Sequence, residues 1–193
     1  MYSRIRETSV PGCWELHFPV HVDPRGEFVK TSQRDALFEL GLEADFEETY
    51  YTVSRENVLR GMHLQLPPAD HGKLVYCVAG AVLDVVLDVR TGSPAYGRFA
   101  QIELDGAGHN GLYIPRGVAH GFYVLRAPAA MAYHVTAMHA PQLDAGIAWD
   151  SFGACWPAAS PLISPRDAGL PPLAEFRSPF RYQEALTPAG EAR

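Results

Sequence analysis

The sequence predicts a mainly β protein in which antiparallel strands form a sandwich or barrel, with a few short peripheral helices. Between residues 73 and 137, short runs rich in Val, Leu and aromatic residues alternate with breaks that carry Gly, Pro, Ser or Asp. Such runs are typical of strands, and many of them at close spacing favour a sandwich or barrel. A chain of 193 residues suits one domain with a sizeable core. We therefore expect a single domain over residues 1–193.

One stretch ahead of these runs predicts a helix. Residues 32–42 (SQRDALFELGL) carry Ser32, which can cap a helix start, and Gly41, which suits a helix end. The chain becomes Pro-rich after residue 156, where the composition disfavours long regular elements. We expect residues 157–193 to form an extended segment, with short helices at most, that packs on the barrel.

The longest apolar run, KLVYCVAGAVLDVVLDVR at residues 73–90, predicts two strands hinged at Ala79 and Gly80. Four more strand-length runs follow it, and turn-forming residues separate them. Each of these runs therefore predicts a strand of its own, at residues 98–104, 111–115, 120–126 and 130–137.

Composition limits the partners and the compartment. A formal net charge of −6 gives no electrostatic footprint for a nucleic-acid backbone. No apolar run is long enough to span a bilayer, and the N-terminal residues lack the apolar core of a secretory signal. The three cysteines, Cys13, Cys77 and Cys155, form no CxxC pair and are expected to be reduced packing residues. We expect a cytoplasmic protein without nucleic-acid or membrane partners.

Two histidines stand in motifs, whereas most of the others suit ordinary packing or surface positions. His120 closes IPRGVAHGF, whose Pro-x-Gly-x-x-His spacing resembles the second half of the cupin signature. The first cupin half supplies His-x-His and then a Glu, but here His63 is followed by Leu64 and Gln65. A transition metal needs about three or four protein ligands. A metal-dependent cupin enzyme is therefore the weaker interpretation, and no metal or other cofactor is expected.

Several longer motifs then identify a more specific resemblance. In order along the chain they are DPRGEF (23–28), VLRGMHLQLPP (58–68), KLVYCVAGAVLDVVLDVR (73–90), SPAYG (93–97), YIPRGVAHGF (113–122), DAGIAWD (144–150) and ISPRD (163–167). Over roughly residues 15–175 the chain resembles the dTDP-4-dehydrorhamnose 3,5-epimerase family. The resemblance implies a metal-free antiparallel cupin jelly-roll barrel. It also implies epimerisation of a nucleotide-linked 4-keto-6-deoxy sugar at C3, C5 or both, in deoxysugar biosynthesis.

The resemblance assigns four catalytic residues. A 4-keto group acidifies the hydrogens on C3 and C5, so inversion needs a base, a stabilised enolate and an acid on the opposite face. His63 matches the base, and an unperturbed imidazole, with a pKa of about 6.5, suits this task. Asp167 matches the carboxylate that orients that base. Lys73 matches the cation beside the enolate oxygen, and Tyr133 matches the acid on the far face. Packing of Tyr133 in the barrel wall is the alternative that the sequence leaves open.

The resemblance also assigns residues to the substrate. Arg25 and Arg60 match positions that grip the diphosphate, for which a planar guanidinium is well shaped. Gln65 and His120 match supporting positions in the same pocket. Family members are homodimers whose N-terminal strands cross over, so Arg25 and Phe28 are expected to complete the pocket of the partner.

This chain departs from the family pattern at several contact positions. Glu48 and Tyr50 replace the usual Gln and Asn, and Lys30 replaces a Glu. Met138 and His139 occupy the place of two tyrosines. Because these positions contact nucleotide or sugar, they leave open whether the nucleotide is dTDP, GDP or CDP.

Two alternatives remain for the pocket and its neighbourhood. A cupin that binds a nucleotide sugar without turnover is the runner-up in function. Asp84, Asp88 and Arg90 also belong to the motifs, but a buried ion-pair network that holds the barrel explains them as well as a role in the site does.

Residues 59–75 are expected to form a strand, a turn and a second strand whose inward side chains line a polar pocket.

Overall fold

Strands make up most of the regular structure, which confirms the predicted class. The computed structural model describes residues 2–183. The strands are β1 (Arg4–Glu7), β2 (Trp14–His17), β3 (Val20–Asp23), β4 (Gly26–Val29), β5 (Glu48–Ser54), β6 (Leu59–Gln65), β7 (Lys73–Asp88), β8 (Phe99–Asp105), β9 (Asn110–Ile114), β10 (Val118–Val135) and β11 (Asp144–Gly146). The helices are short: α1 (Arg34–Glu39), α2 (Pro165–Ala168) and two 3₁₀ turns, Pro141–Leu143 and Leu173–Glu175. Within the described part of the chain, no helix is both long and apolar enough to cross a membrane.

Nine strands form one antiparallel sheet. Its main path runs β1-β2-β9-β7-β10-β6-β11, while β5 also pairs with β10 and β8 with β7. The two long strands change partners along their length: β7 pairs first with β9 and then with β8, and β10 pairs with β6 near its start and with β5 near its end. The sheet therefore bends around a core of side chains, and β3 and β4 form a separate hairpin.

β7 and β10 are each continuous, where the sequence analysis predicted pairs of separate strands. The expected hinge at Ala79–Gly80 and the break between 126 and 130 are instead irregular points inside two paired strands, with register shifts around them. Gly80 has a φ of +79°, and a Cβ there would lie 2.4 Å from the carbonyl oxygens of Arg126 and Pro128. The turn-forming residues of β7 and β10 lie opposite each other, so both strands bend at the same place. Their hydrogen-bonded pairing therefore continues past the bend.

The predicted helix exists but is shorter than expected. Its first residue is Arg34, and Gln33 rather than Ser32 occupies the cap position, without a side-chain hydrogen bond. Gln33 is extended, with φ −136° and ψ 112°, so the helix cannot begin at Ser32 and that expected cap was wrong. Gly41, with φ +70°, directly follows the helix end as predicted. Leu37 anchors the helix in an apolar cluster beside the sheet.

A buried ion pair joins the barrel to the C-terminal segment. Asp88 accepts hydrogen bonds from Nε and Nη2 of Arg90 at 2.9 and 2.7 Å, and Arg90 lies over the ring of Tyr182 at 5.0 Å. Phe180 packs in a core cluster beside this pair. The network explains Asp88 and Arg90 structurally. Residues 157–183 pack along the barrel with only short helices, and the rest of the predicted segment, 184–193, lies outside the described residues.

Candidate active site

One polar cavity of about 210 Å³ collects most of the residues that the sequence analysis selected. It opens between β5, β6, β7 and β10. The selected residues on its wall are Tyr50, Arg60, His63, Gln65, Lys73, His120, Tyr133 and His139. The stretch 59–75 does form a strand, a turn and a second strand, and its polar side chains line this cavity.

His63 and Asp167 form a hydrogen-bonded pair, although more than a hundred residues separate them in sequence. Nε2 of His63 lies 2.8 Å from Oδ1 of Asp167. The N–H of Gly61 donates to the other carboxylate oxygen at 3.1 Å, and Ser164 caps α2 by accepting from the N–H of Asp167. Burial alone would raise the pKa of Asp167, but these hydrogen bonds and the His63 charge lower it overall.

The pair defines the tautomer of the histidine. An ionised carboxylate only accepts hydrogen bonds, so Nε2 of His63 carries the proton that it donates to Asp167. Nδ1 is then the basic nitrogen. The side chain of His63 is 29% exposed, whereas that of Asp167 is 4% exposed, so the imidazole faces the cavity and the carboxylate lies behind it.

Lys73 is the first residue of β7 and is buried in the wall of the cavity. Within residues 2–183 its ammonium makes no hydrogen bond or close ion pair. Burial lowers the pKa of Lys73 to about 8, and the more distant charges of Asp144 and Asp84 offset only part of that effect. The site therefore holds a cation that has no protein partner at contact distance.

Tyr133 lies between two other rings. Its ring stacks on Tyr50, with centres 4.8 Å apart and planes inclined by 13°, and meets the ring of His120 edge-on at 6.1 Å. Nε2 of His120 lies 2.8 Å from Oδ2 of the fully buried Asp84. Burial raises the pKa of the Tyr133 phenol well above its usual 10, so Tyr133 holds a proton at neutral pH.

A second hydrogen-bonded group borders the same cavity. Gln65 donates to Asp144 at 2.8 Å and accepts from the N–H of Ala140 at 2.9 Å. Asp144 also pairs with Arg166 at 3.0 Å. Glu48 accepts from the N–H of His139 at 2.8 Å. Since these contacts occupy its amide, Gln65 positions its neighbours as well as lining the cavity.

Arg60 is placed to bind an anion at the cavity wall. Its Nε donates to Ser54 at 3.0 Å, while its terminal nitrogens make no hydrogen bond or ion pair within the described residues. The residue is exposed to solvent. A guanidinium held at one nitrogen and free at the others suits a phosphate oxygen.

Sequence reasoning missed several residues of the site, among them His71, Asp144 and Arg166, and left the role of Asp84 open. His71 faces the cavity, and its Nδ1 lies 3.1 Å from the carbonyl oxygen of Ala69. Burial and the nearby Lys73 lower the pKa of His71 to about 4, so this imidazole is neutral. The position of Arg166 beside Asp167 in the ISPRD motif was the one available signal for it.

Five selected residues do not line the cavity: Asp167 lies behind His63, Glu48 contacts the backbone of His139, and Arg25, Phe28 and Met138 lie elsewhere. Arg25 and Phe28 belong to the β3–β4 hairpin, where Arg25 pairs with Asp23 and Phe28 is 60% exposed. Met138 is 59% exposed and absent from the cavity wall, so its contact with substrate stays a prediction. His139, the residue after Met138, donates its backbone N–H to Glu48, and His139 rather than Met138 lines the cavity.

Metal coordination was the third interpretation of the sequence. Among residues 2–183 there is no group of three or more His, Cys, Asp and Glu side chains placed to hold a metal ion. In the cavity, Nε2 of His63 and Nε2 of His120 each face a carboxylate within the protein.

Comparisons with known proteins match this chain to one family. The family model for dTDP-4-dehydrorhamnose 3,5-epimerase matches residues 7–175. A Mycobacterium tuberculosis dTDP-4-dehydrorhamnose 3,5-epimerase is 38% identical over 98% of both chains. A Streptomyces niveus dTDP-4-dehydrorhamnose 3-epimerase is 34% identical over 90% of this chain and 86% of its own length.

The fold is shared as well. The crystal structure of a Legionella pneumophila dTDP-6-deoxy-D-glucose-3,5-epimerase in complex with dTDP-4-keto-L-rhamnose superposes with a TM-score of 0.88 at 33% identity, over 93% of this chain and 98% of that one. This likeness confirms the predicted mainly β, cupin-type jelly roll. The family model matches most of this chain, and the Mycobacterium tuberculosis relative is matched over 98% of its length. The chain therefore belongs to the dTDP-4-dehydrorhamnose 3,5-epimerase family.

Proposed function

We propose that this protein is an isomerase that epimerises a dTDP-linked 4-keto-6-deoxyglucose at C3 and C5. One observation carries the proposal: the His63–Asp167 pair, the unpartnered cation of Lys73 and the protonated phenol of Tyr133 all face one small cavity. A base, an enolate stabiliser and an acid are the three groups that this inversion needs. A site that only bound the sugar would need no such set.

The first step is proton abstraction. Nδ1 of His63 takes the proton from the carbon beside the ketone, and the electrons of that C–H bond move onto the C4 oxygen. Asp167 stabilises the imidazolium through Nε2–H. The Lys73 ammonium stabilises the enolate oxygen, and removing one good donor from such a site costs about 3 kcal/mol.

The second step returns a proton to the other face. Tyr133 gives its phenolic proton to the carbon, and the C4 ketone re-forms. His63 then releases the proton that it took to solvent, and the Tyr133 phenolate takes one up from solvent, which restores both groups. His120, held by Asp84, supports the Tyr133 ring from one side. Inversion at the second carbon repeats these two steps in the same pocket.

The nucleotide is proposed from the relatives and from Arg60. The Legionella pneumophila relative was crystallised with a dTDP-linked sugar, and the free end of Arg60 suits the diphosphate. Glu48, Tyr50 and His139 keep a GDP- or CDP-linked sugar as the alternative substrate, because they replace side chains that other family members use at contact positions.

We propose a homodimer that works in the cytoplasm, as the family resemblance implies. The β3–β4 hairpin exposes Val22 and Phe28, at 73% and 60%, and carries Arg25 away from the cavity of its own chain. A hairpin of this kind can deliver Arg25 and Phe28 to a neighbouring copy across a two-fold axis.

The test is incubation in D₂O with dTDP-, GDP- and CDP-linked 4-keto-6-deoxy sugars, with deuterium at C3 and C5 measured by NMR and mass spectrometry. We expect incorporation at both carbons and the highest kcat/KM with the dTDP sugar. Deuterium at C3 alone would make this chain a 3-epimerase. Binding of a sugar nucleotide with no incorporation for any donor would leave the non-catalytic binding module.

A further inference from the structure

The ring of Tyr50 stacks on that of the proposed acid, Tyr133, and the two reaction steps assign Tyr50 no role. β5 and β10 pair so that Tyr50 lies directly opposite Tyr133. The two rings are nearly parallel, inclined by 13° with centres 4.8 Å apart. Stacking of this kind between facing aromatic residues stabilises a strand pair and restrains both rings.

The stack is asymmetric in exposure. Tyr50 is 40% exposed, whereas Tyr133 is 6% exposed, so the outer ring covers the inner one. The hydroxyl of Tyr50 makes no hydrogen bond within residues 2–183, so the ring is the part of this side chain that acts on its neighbour. His120 meets Tyr133 edge-on from another direction and is itself held by Asp84.

We propose that Tyr50 is a positioning residue that clamps the ring of Tyr133 over the substrate. It thereby sets how often protonation of the enolate inverts the carbon centre. The inference deepens the proposed function and rests on it.

The clamp acts on the fate of the enolate. After His63 has taken the proton, two groups can return one to the carbon. Tyr133 breaks its O–H bond and forms a C–H bond on the opposite face, which inverts the centre. His63 can instead return a proton to the original face; in D₂O, once its N–H has exchanged, this leaves deuterium without inversion. If the Tyr133 ring tilts away from the carbon, His63 returns the proton more often and fewer centres are inverted.

The experiment measures that competition directly. Wild type and the Tyr50→Ala and Tyr50→Phe variants are incubated in D₂O with the dTDP-linked 4-keto sugar, and deuterium is quantified separately in recovered substrate and in inverted product. We expect Tyr50→Ala to raise the ratio of exchange to inversion about threefold to tenfold, the scale of a lost aromatic pair. Tyr50→Phe keeps the stacked ring and should keep the wild-type ratio.

The chain offers a matched control in the next residue of the same strand. Tyr51 is 74% exposed and does not line the cavity, so Tyr51→Ala removes an equal ring from β5 without touching the stack. It should leave the ratio unchanged. An unchanged ratio in Tyr50→Ala, or an equal rise in Tyr51→Ala, would overturn the inference.

A second readout needs no substrate and separates the clamp from the reaction. In protein labelled with ¹³C-tyrosine, the Tyr133 ring signals, assigned with Tyr133→Phe, should be shifted upfield by the stacked ring and should lose that shift in Tyr50→Ala. Wild type that exchanges no deuterium would defeat the proposed function and the catalytic part of the inference. Ring signals of Tyr133 that ignore Tyr50→Ala would defeat the clamp itself.

Discussion

Lys73 loses its proton more readily than an ordinary lysine, because its ammonium is buried. Burial lowers its pKa to about 8, while burial moves the pKa of Tyr133 in the opposite direction, above its usual 10. The enolate stabiliser must be charged, so activity falls as pH rises through the pKa of Lys73. We expect kcat/KM to decline above about pH 8, with Tyr133 still protonated there.

The Lys73→Arg variant identifies the group behind the alkaline decline. A guanidinium stays protonated to beyond about pH 12, so this variant should show a lower kcat/KM but no decline near pH 8. The pH profiles of wild type and Lys73→Arg are measured by steady-state kinetics from about pH 5.5 to 10, a range in which most folded proteins can be assayed. An alkaline limb at the same pH in both proteins would assign it to another group.

The residues of the site differ in how far sequence could reveal them. His63 and Lys73 stand in motifs that carry the family resemblance, Tyr133 was matched to a family position between two of those motifs, and the structure places all three at one cavity. Asp84 was ambiguous because it lies in an apolar strand pattern, and only the fold shows that its partner is His120 rather than Arg90. Met138 was selected by its match to a family position. Its side chain is 59% exposed, and the backbone hydrogen bond from His139 to Glu48, which no motif encodes, helps to set the path of this irregular segment.

At the scale of elements, β6 and β10 approach each other so closely that only glycine fits. Gly61 has a φ of +127°, and a Cβ there would lie 2.5 Å from Cα of Gly121. The same residue donates its N–H to Asp167, behind the proposed base. We expect Gly61→Ala to lower the free energy of unfolding by about 3 kcal/mol or more and to lower kcat, since the strands must separate.

Gly92 supplies the control for that substitution. It also has a positive φ, +86°, but nothing lies within 4 Å of a Cβ built there. Gly92→Ala should therefore show only the backbone cost, about 1 kcal/mol, with normal activity. Urea denaturation of both variants checks the difference. Equal losses would mean that strand crowding contributes nothing at Gly61.

The positions of strands were predictable, but their continuity was not. Alternating apolar residues between turn formers located β7 to β10 well. Gly80 and Pro128 predicted chain breaks, yet they lie side by side where two long strands bend together, and the sheet accommodates them without ending. Ser32 is a good cap by type, but the backbone at Gln33 is extended, so α1 begins after both. At Gly80 and Pro128, local preference gave way to tertiary pairing.

At the scale of the whole molecule, the hairpin that carries Arg25 tests the proposed dimer. If Arg25 serves the pocket of the other subunit, a heterodimer of Arg25→Ala and His63→Ala chains has one complete site, because one chain supplies His63 and its partner supplies the arginine. Purified through two different affinity tags, it should recover about half of the wild-type activity per dimer. Each homodimeric variant should be strongly impaired.

The outcome separates three arrangements. Recovery shows that the site is shared between subunits. A heterodimer without recovered activity would place Arg25 in its own chain's site. Failure to capture any heterodimer, together with a monomer mass by analytical ultracentrifugation, would contradict the proposed assembly.

The central proposal is that His63, oriented by Asp167, starts the reaction by removing a proton beside the ketone. The most direct measurement is the rate of deuterium incorporation at C3 and C5 of dTDP-4-keto-6-deoxyglucose in D₂O, for wild type and for His63→Asn, with circular dichroism and dTDP binding as controls for folding. We expect readily measurable exchange in wild type and a loss of about 100-fold to 10,000-fold in a folded, nucleotide-binding variant. Exchange by His63→Asn within a few-fold of wild type would contradict this role of His63.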